Sequence, residues 1–299
     1  MSIAAVSLDR RGVAATVGAF VIWGLFPLYW RMLHQVPALQ IIAHRVVWSA
    51  VLVAGWLLLR NGLGWLRIIA AQPRALATLA LTAVLISFNW GLYIWAVNNG
   101  HVVEASLGYF INPLVNVLLG VLVLRERLTR LQWLAVAMAA AGVAWLTWQA
   151  GHAPWIAIGL ALSFGGYGLL RKLVQVDAVA GLGLESLYLF LPALAVVAWG
   201  EAGHGGQFTG GWGLGTGLLL VLAGAVTAVP LVGFAYGVRR VPLSLVGLLQ
   251  YISPTLQLLL GVMVFNEAFD HERVVGFALI WAALLVFIGE TLLRARPPR

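Results

Sequence analysis

Apolar runs broken by short polar or basic connections recur ten times along the chain. Within each run the apolar positions are continuous and do not alternate. The runs therefore read as helices and not as strands of a membrane barrel. A hydrocarbon core of about 30 Å takes about 20 helical residues. The runs 12–32, 39–59, 75–97, 105–124 and 131–148 are predicted spans, followed by 154–170, 178–199, 214–238, 243–265 and 274–293. The expected fold is all-α and integral to the membrane, with ten transmembrane helices.

One run carries a polar seam. EASLGYFINPLVNVLLGVLVLRE, residues 104–126, has Tyr109, Asn112, Pro113 and Asn116 inside a spanning length. A counterpart, LVGLLQYISPTLQLLLGVMVFNE, lies 141 positions later. Pro113 falls on Pro254, Gly120 on Gly261 and Glu126 on Glu267 without a gap. The offset extends further, carrying Gly18 onto Gly159, Trp23 onto Phe164, Gly24 onto Gly165, Phe26 onto Tyr167 and Arg31 onto Lys172. The chain thus divides into two repeats, 12–148 and 153–293, within one structural domain. Each holds five spans, an odd number, so the second enters the membrane inverted relative to the first. Inverted repeats suit a carrier, because rocking two similar halves about one site gives alternating access. The plainer reading is a duplicated scaffold.

Composition agrees with burial in lipid. The 299 residues are 62% hydrophobic and 9% charged, too apolar a surface for water. Cysteine is absent, which excludes disulfides, thiolate metal sites and a cysteine nucleophile. The net charge of +8 would raise nucleic acid in a soluble protein, but here the basic residues sit between spans. With the N-terminus placed in the cytoplasm, the loops on that side hold fifteen of the 18 Lys and Arg residues. The other side holds Arg31 and Arg273, and Arg45 lies within the second span. That bias predicts cytoplasmic termini. Arg10 and Arg11 precede the first run, but its length and the lack of a cleavage site mark a retained span and not a signal peptide. The Gly-rich stretch 201–213 reads as a mobile outer loop.

The segments VIWGLFPLYWRML, VPALQIIAHRVVWS, NWGLYIWAVNNGHVVEASLGYFINPLVNVLLG and GLLQYISPTLQLLLGV resemble EamA-type members of the drug/metabolite transporter superfamily. The likeness runs from Gly12 to about Thr291. It implies ten helices, a central cavity between two five-helix halves, a bacterial inner-membrane location and export of small molecules. It names no ligand.

Candidate residues follow from the cost of polar groups in lipid. Tyr109, Asn112 and Asn116 share one helical face, as do their counterparts Gln250, Ser253 and Gln257. An amide facing lipid leaves polar atoms unpaired, so these faces look inward. They either line a substrate cavity or bond neighbouring helices. Pro113 and Pro254 each free a carbonyl one turn earlier and are hinge candidates, or static kinks. Arg45 is a cavity candidate that would hold an anionic group, or else it snorkels outward. His44 and its counterpart Glu185 are coupling or gating candidates; the alternative pairs Glu185 with Arg171 or Lys172. Trp23, Asn89, Trp90, Tyr93, Trp95 and Tyr251 are further candidates for a cavity wall, with Asn89, Trp90 and Tyr251 favoured.

No metal set, cofactor motif, P-loop, HExxH, GxSxG or useful carboxylate pair is present in the sequence. The expected function is a secondary-active exporter of a small polar or amphipathic metabolite or drug-like molecule. Its partners would be the lipid bilayer and that solute, with a homodimer left open and no nucleic acid. The alternatives are a membrane scaffold or assembly protein and a membrane-embedded enzyme.

Overall fold

The computed structural model describes residues 9–99, 101–150, 154–264 and 271–295. The described residues form α1 (Arg10–Met32), α2 (Ala38–Asn61), α3 (Gly64–Ala70), α4 (Pro73–Asn98), α5 (Val102–Leu122) and α6 (Arg130–Ala150). They continue as α7 (Trp155–Leu173), α8 (Ala178–Glu201), α9 (Gly213–Val238), α10 (Leu243–Leu249), α11 (Ile252–Met263) and α12 (His271–Ala295). Ten of the helical stretches are long and apolar enough to cross a membrane, with α10 and α11 forming one of them together. The large apolar side chains on the bundle surface, such as Leu59 at 88% exposure, meet lipid. This is a multi-pass membrane protein.

Polar residues punctuate the spans where backbone amides lack helical partners. Asp9 accepts from Arg11 N at 2.9 Å and Gly12 N at 3.1 Å, which caps α1. Thr129 and Gln132 exchange backbone-to-side-chain bonds of 3.0 and 3.2 Å, a capping box that opens α6. α3 was not expected; its Trp65 and Ile69 are buried while Leu63 and Ile68 are exposed, so it lies along the bundle and does not cross it.

The predicted continuous span 243–265 is interrupted. Residues 250 and 251 form a turn between α10 and α11. Pro254 cannot donate to the carbonyl of Gln250, which instead accepts Ser253 N at 3.1 Å. Its counterpart Pro113 sits inside the unbroken α5. The two prolines are therefore not equivalent. Phe265, the expected end of that span, and Glu267, the counterpart of Glu126, lie outside the described residues.

The helix packing follows the repeat. α1 packs on α9 and α11, while α7, its counterpart, packs on α4 and α5, the counterparts of α9 and of the α10–α11 pair. α2 packs on its own counterpart α8, α6 on α12, and α5 on α10. Close approaches repeat too. A Cβ on Gly24 would lie 2.7 Å from Leu256, and one on Gly165 would lie 2.7 Å from Val115, the counterpart of Leu256. Small residues at these crossings let the helix backbones come together without a hydrophobic driving force.

Lys and Arg gather at one end of the bundle. There the start of α1 meets the end of α9, with Arg240 Nε 3.5 Å from Asp9 Oδ2. At the opposite end Gln35 Nε2 donates to Thr216 Oγ1 at 2.6 Å. We call these the basic end and the far end.

Candidate functional site

Arg45 stands in the second turn of α2, in the half of the bundle toward the far end. Its guanidinium turns inward and not along the helix toward water. Nε donates to Thr227 Oγ1 at 2.9 Å, midway along α9. The Cζ atom lies 4.9 Å from the ring centroids of both Trp30 and Trp90 and 5.8 Å from that of Phe26. Arginine over an indole face is attracted by the ring quadrupole, more so where water is excluded. The phenols of Tyr29, Tyr93 and Tyr109 lie within electrostatic range of the guanidinium. Tyr29 donates its hydroxyl to Leu219 O, which fixes that ring. Tyr93 and Tyr109 face each other with centroids 6.1 Å apart, and they keep 37% and 39% of their surface accessible. Among the described residues no Asp or Glu pairs with Arg45. The result is an aromatic cage around a cation that pairs with no Asp or Glu among the described residues.

Toward the basic end the interior closes. Phe20, Trp23, Phe164, Tyr167 and Phe234 form a contiguous ring cluster with centroids 5.2–6.1 Å apart. A cavity of about 20 Å³ lies between this cluster and the cage, lined by Ser49, Trp90, Glu185, Ser186 and Thr227 among others. That is room for about one water and not for a solute.

Behind the rings lies a buried ion pair. Arg171 Nη1 is 3.5 Å from Glu185 Oε1, and both side chains are almost wholly buried. Thr82 donates to Glu185 Oε1 at 2.6 Å, and Tyr167 donates to Oε2 at 3.4 Å. Arg171 Nη2 also donates to Ala178 O at 3.0 Å. Two further braces join helix ends, the second of them across the two halves. Lys172 Nζ donates to the carbonyls of Val238 and Val241 at 2.8 and 2.6 Å, at the carbonyl end of α9. Glu126 accepts from Leu243 N at 2.6 Å and from Ser244 N and Oγ at 2.9 and 2.7 Å, at the amide end of α10.

The seam residues chiefly bond helices. Asn116 Nδ2 donates to Gln250 Oε1 at 2.8 Å and to Asn112 Oδ1 at 3.3 Å, joining α5 to the end of α10. Tyr251 donates to Phe110 O at 3.2 Å, and Gln257 Nε2 donates to Trp23 O at 3.2 Å. Asn89 donates to Leu160 O and Ser163 Oγ, each at 2.9 Å, so its donors are taken up by α7. Of the seam, Tyr109 alone stands at the Arg45 cage. His44 turns away from that cage. Its ring packs 4.7 Å from Phe208 and near Trp212, under the loop 202–212. Glu201 anchors that loop by accepting from Phe208 N at 2.8 Å and Thr209 Oγ1 at 2.6 Å, so it is tied down and not slack. His44 and Glu185 thus occupy opposite ends of the bundle and are not brought together.

Sequence reasoning passed over Thr227, Phe26, Tyr29 and Trp30 at the cage and Thr82 at the ion pair. The 141-residue offset held part of the signal. It carries Phe26 onto Tyr167, Trp30 onto Arg171 and Tyr93 onto Phe234, so three of the cage residues on α1 and α4 have counterparts in the closed layer or its ion pair, whereas Tyr29 falls on Leu170 and Trp90 on Leu231. Thr227 gave no such sign, since a threonine in an apolar run commonly bonds its own helix.

The chain matches the model of the EamA-like transporter family twice, over residues 10–148 and 153–289. It is 49% identical over 292 residues to the protein RarD of Streptomyces exfoliatus, covering 97% of this chain and 92% of that one. It is 48% identical to an uncharacterized transporter of Pseudomonas aeruginosa, covering 93% of each. With RarD of Escherichia coli it shares 42% identity over 96% of this chain and 97% of the other. A crystal structure of a protein 22% identical superposes with a TM-score of 0.71 over 95% of this chain and 99% of its own, which shows the fold alone. The chain belongs to the EamA-like transporter family.

Proposed function

We propose that this EamA-family chain is a secondary-active carrier of the bacterial inner membrane that works by alternating access. The basic end faces the cytoplasm, with both termini on that side. The two repeats, 12–148 and 153–293, enter the membrane inverted. The Arg45 cage is the part of the transport cavity that opens outward in this conformation. The aromatic layer and the Arg171–Glu185 pair close the cytoplasmic side. One observation carries the reading: two regions matched by the repeat differ in state, one holding a partly exposed arginine with no acidic partner among the described residues and one a buried ion pair under packed rings, on packing that exchanges the halves. Rocking the halves would exchange those states. The solute is a small polar or amphipathic metabolite or drug-like molecule, moved outward. The direction rests on the family likeness. A scaffold would have no reason to hold inside its cage a cation that pairs with no Asp or Glu among the described residues.

The absence of cysteine makes the test direct, since single-cysteine variants need no altered background. Tyr93→Cys and Phe234→Cys place thiols at repeat-matched positions. An impermeant maleimide added outside oriented vesicles should label the first and spare the second. Conditions that favour inward opening should protect the first from outside and expose the second from inside. Labelling that stays one-sided under every condition would sink the carrier reading.

A further inference from the structure

We infer that the Arg45 cage takes a monocarboxylate with a flat or apolar body; this rests on the reading of the cage as the transport cavity. Charge balance comes first. Arg45 is held near the middle of the bundle with no Asp or Glu partner among the described residues. A cation in that setting is expensive, and such residues ordinarily pair with an opposite charge or face a substrate path. The repeat-matched region pairs its own buried arginine with Glu185. The missing anion at Arg45 is one that a ligand supplies.

Geometry then narrows the anion. Thr227 takes up Nε, so the paired Nη edge is the part of the guanidinium left for a ligand. That edge presents two parallel donors, which fit the two oxygens of one carboxylate. Tyr93 and Tyr109 are hydrogen-bonded to each other within electrostatic reach of the same charge, which leaves one phenol proton of the pair for a ligand. One cation balances one negative charge. A dianion would leave a net charge among Phe26, Trp30 and Trp90. A cationic solute would meet ring faces already covered by Arg45. A zwitterion needs an acceptor for its ammonium group, and the carboxylate that lines the small cavity, Glu185, is committed to Arg171, Thr82 and Tyr167. The indoles and phenols supply flat apolar walls for the rest of the ligand.

The test uses the purified full-length chain in detergent and its thermal unfolding midpoint. Benzoate and cyclohexanecarboxylate should raise the midpoint. Benzamide, benzylamine and phthalate should not, and phenylalanine should bind more weakly than benzoate. Arg45→Gln should weaken benzoate about 10- to 100-fold, the range for losing charge-assisted hydrogen bonds. Arg45→Lys should lose most of that affinity as well, because an ammonium has no fork. Thr227→Val, which keeps the arginine but frees Nε, should weaken benzoate a few-fold and guards against misfolding of the arginine variants. Equal stabilisation by benzamide, tighter binding of phenylalanine, or benzoate affinity unchanged in Arg45→Gln would each overturn the inference. So would the absence of any shift by either carboxylate at about 10 mM, where even a Kd of about 1 mM is saturated. The outcomes separate the two claims. Arg45-dependent benzoate binding without alternating thiol labelling keeps the anion site and removes the carrier reading. Alternating labelling with Arg45-independent binding does the reverse.

Discussion

The Arg45 cage and the Arg171–Glu185 pair occupy repeat-matched places and solve the problem of an arginine inside the bundle in different ways. At the cage the cation sits on the second helix of its half, with the indole of Trp30 on the first. At the other place the position of Trp30 is taken by Arg171, and the position of His44 is taken by Glu185. One arginine is covered by ring faces and pairs with no Asp or Glu among the described residues. The other is neutralised inside the protein and covered by Tyr167 and Phe234. A duplicated frame therefore does not carry duplicated chemistry. Helix crossings tolerate little change because backbones meet there, whereas side chains lining the interior are free to diverge. Under the proposed carrier reading, the asymmetry would give one region to ligand recognition and the other to closure.

The largest effect should come from breaking the closed region. Glu185→Leu leaves Arg171 buried and uncompensated, and removing one partner of such a pair costs about 3–5 kcal/mol. Thermal unfolding and the monodisperse yield should fall sharply, and Arg171→Leu in the same chain should restore most of the loss. If the single variant is as stable as wild type, the pair is not what holds this end.

Next come the matched crossings. Gly24→Val and Gly165→Val each push side-chain atoms into a helix whose nearest atoms lie 2.7 Å from the first added carbon. Each should cost about 1–3 kcal/mol by overpacking, with similar values for the two. Leu256→Ala should relieve the first and Val115→Ala the second. Very unequal costs would show that the repeat-related crossings differ in energy despite matching in place.

Smaller still is the seam. Asn116→Leu strips Gln250 Oε1 of its donor and should cost about 0.6–1.7 kcal/mol, the range for interhelical polar contacts in membranes. Insertion and monodispersity should survive. Loss of folding would mark the seam as a strut, and loss of ligand binding alone would mark it as cavity wall.

The smallest change in stability should come at Arg45 itself. Arg45→Gln gives up one hydrogen bond and the ring contacts but removes an uncompensated buried charge, so without ligand its unfolding should shift by less than about 1 kcal/mol. A shift as large as that of Glu185→Leu would erase the distinction between the two regions.

Much of the fold was legible before any coordinates. The ten spans appear within a few residues of their expected edges, because twenty apolar residues in lipid must satisfy their backbone polar groups within the helix. Gly24, Gly165 and the prolines followed from the offset alone. The α10–α11 break did not, since Pro113 stands in an equivalent sequence setting and leaves its helix whole. The rule for proline is local, but whether a helix kinks or parts depends on what lies against it.

Sequence alone determined that the chain lives in a membrane, that it is duplicated, and that its charges favour one end. These are sums of transfer free energies and spacings along single helices, and they need no knowledge of neighbours. Only the tertiary structure decided the partners. The mate of Glu185 could have been Arg171 or Lys172, and packing gave it to Arg171. Arg45 could have snorkelled, and the approach of α9 carried Thr227 to its Nε instead. The partners of Asn89 were open as well, and α7 took up both its donors. Each choice turns on the rotation of one helix against another distant in the chain, a quantity that no single helix encodes.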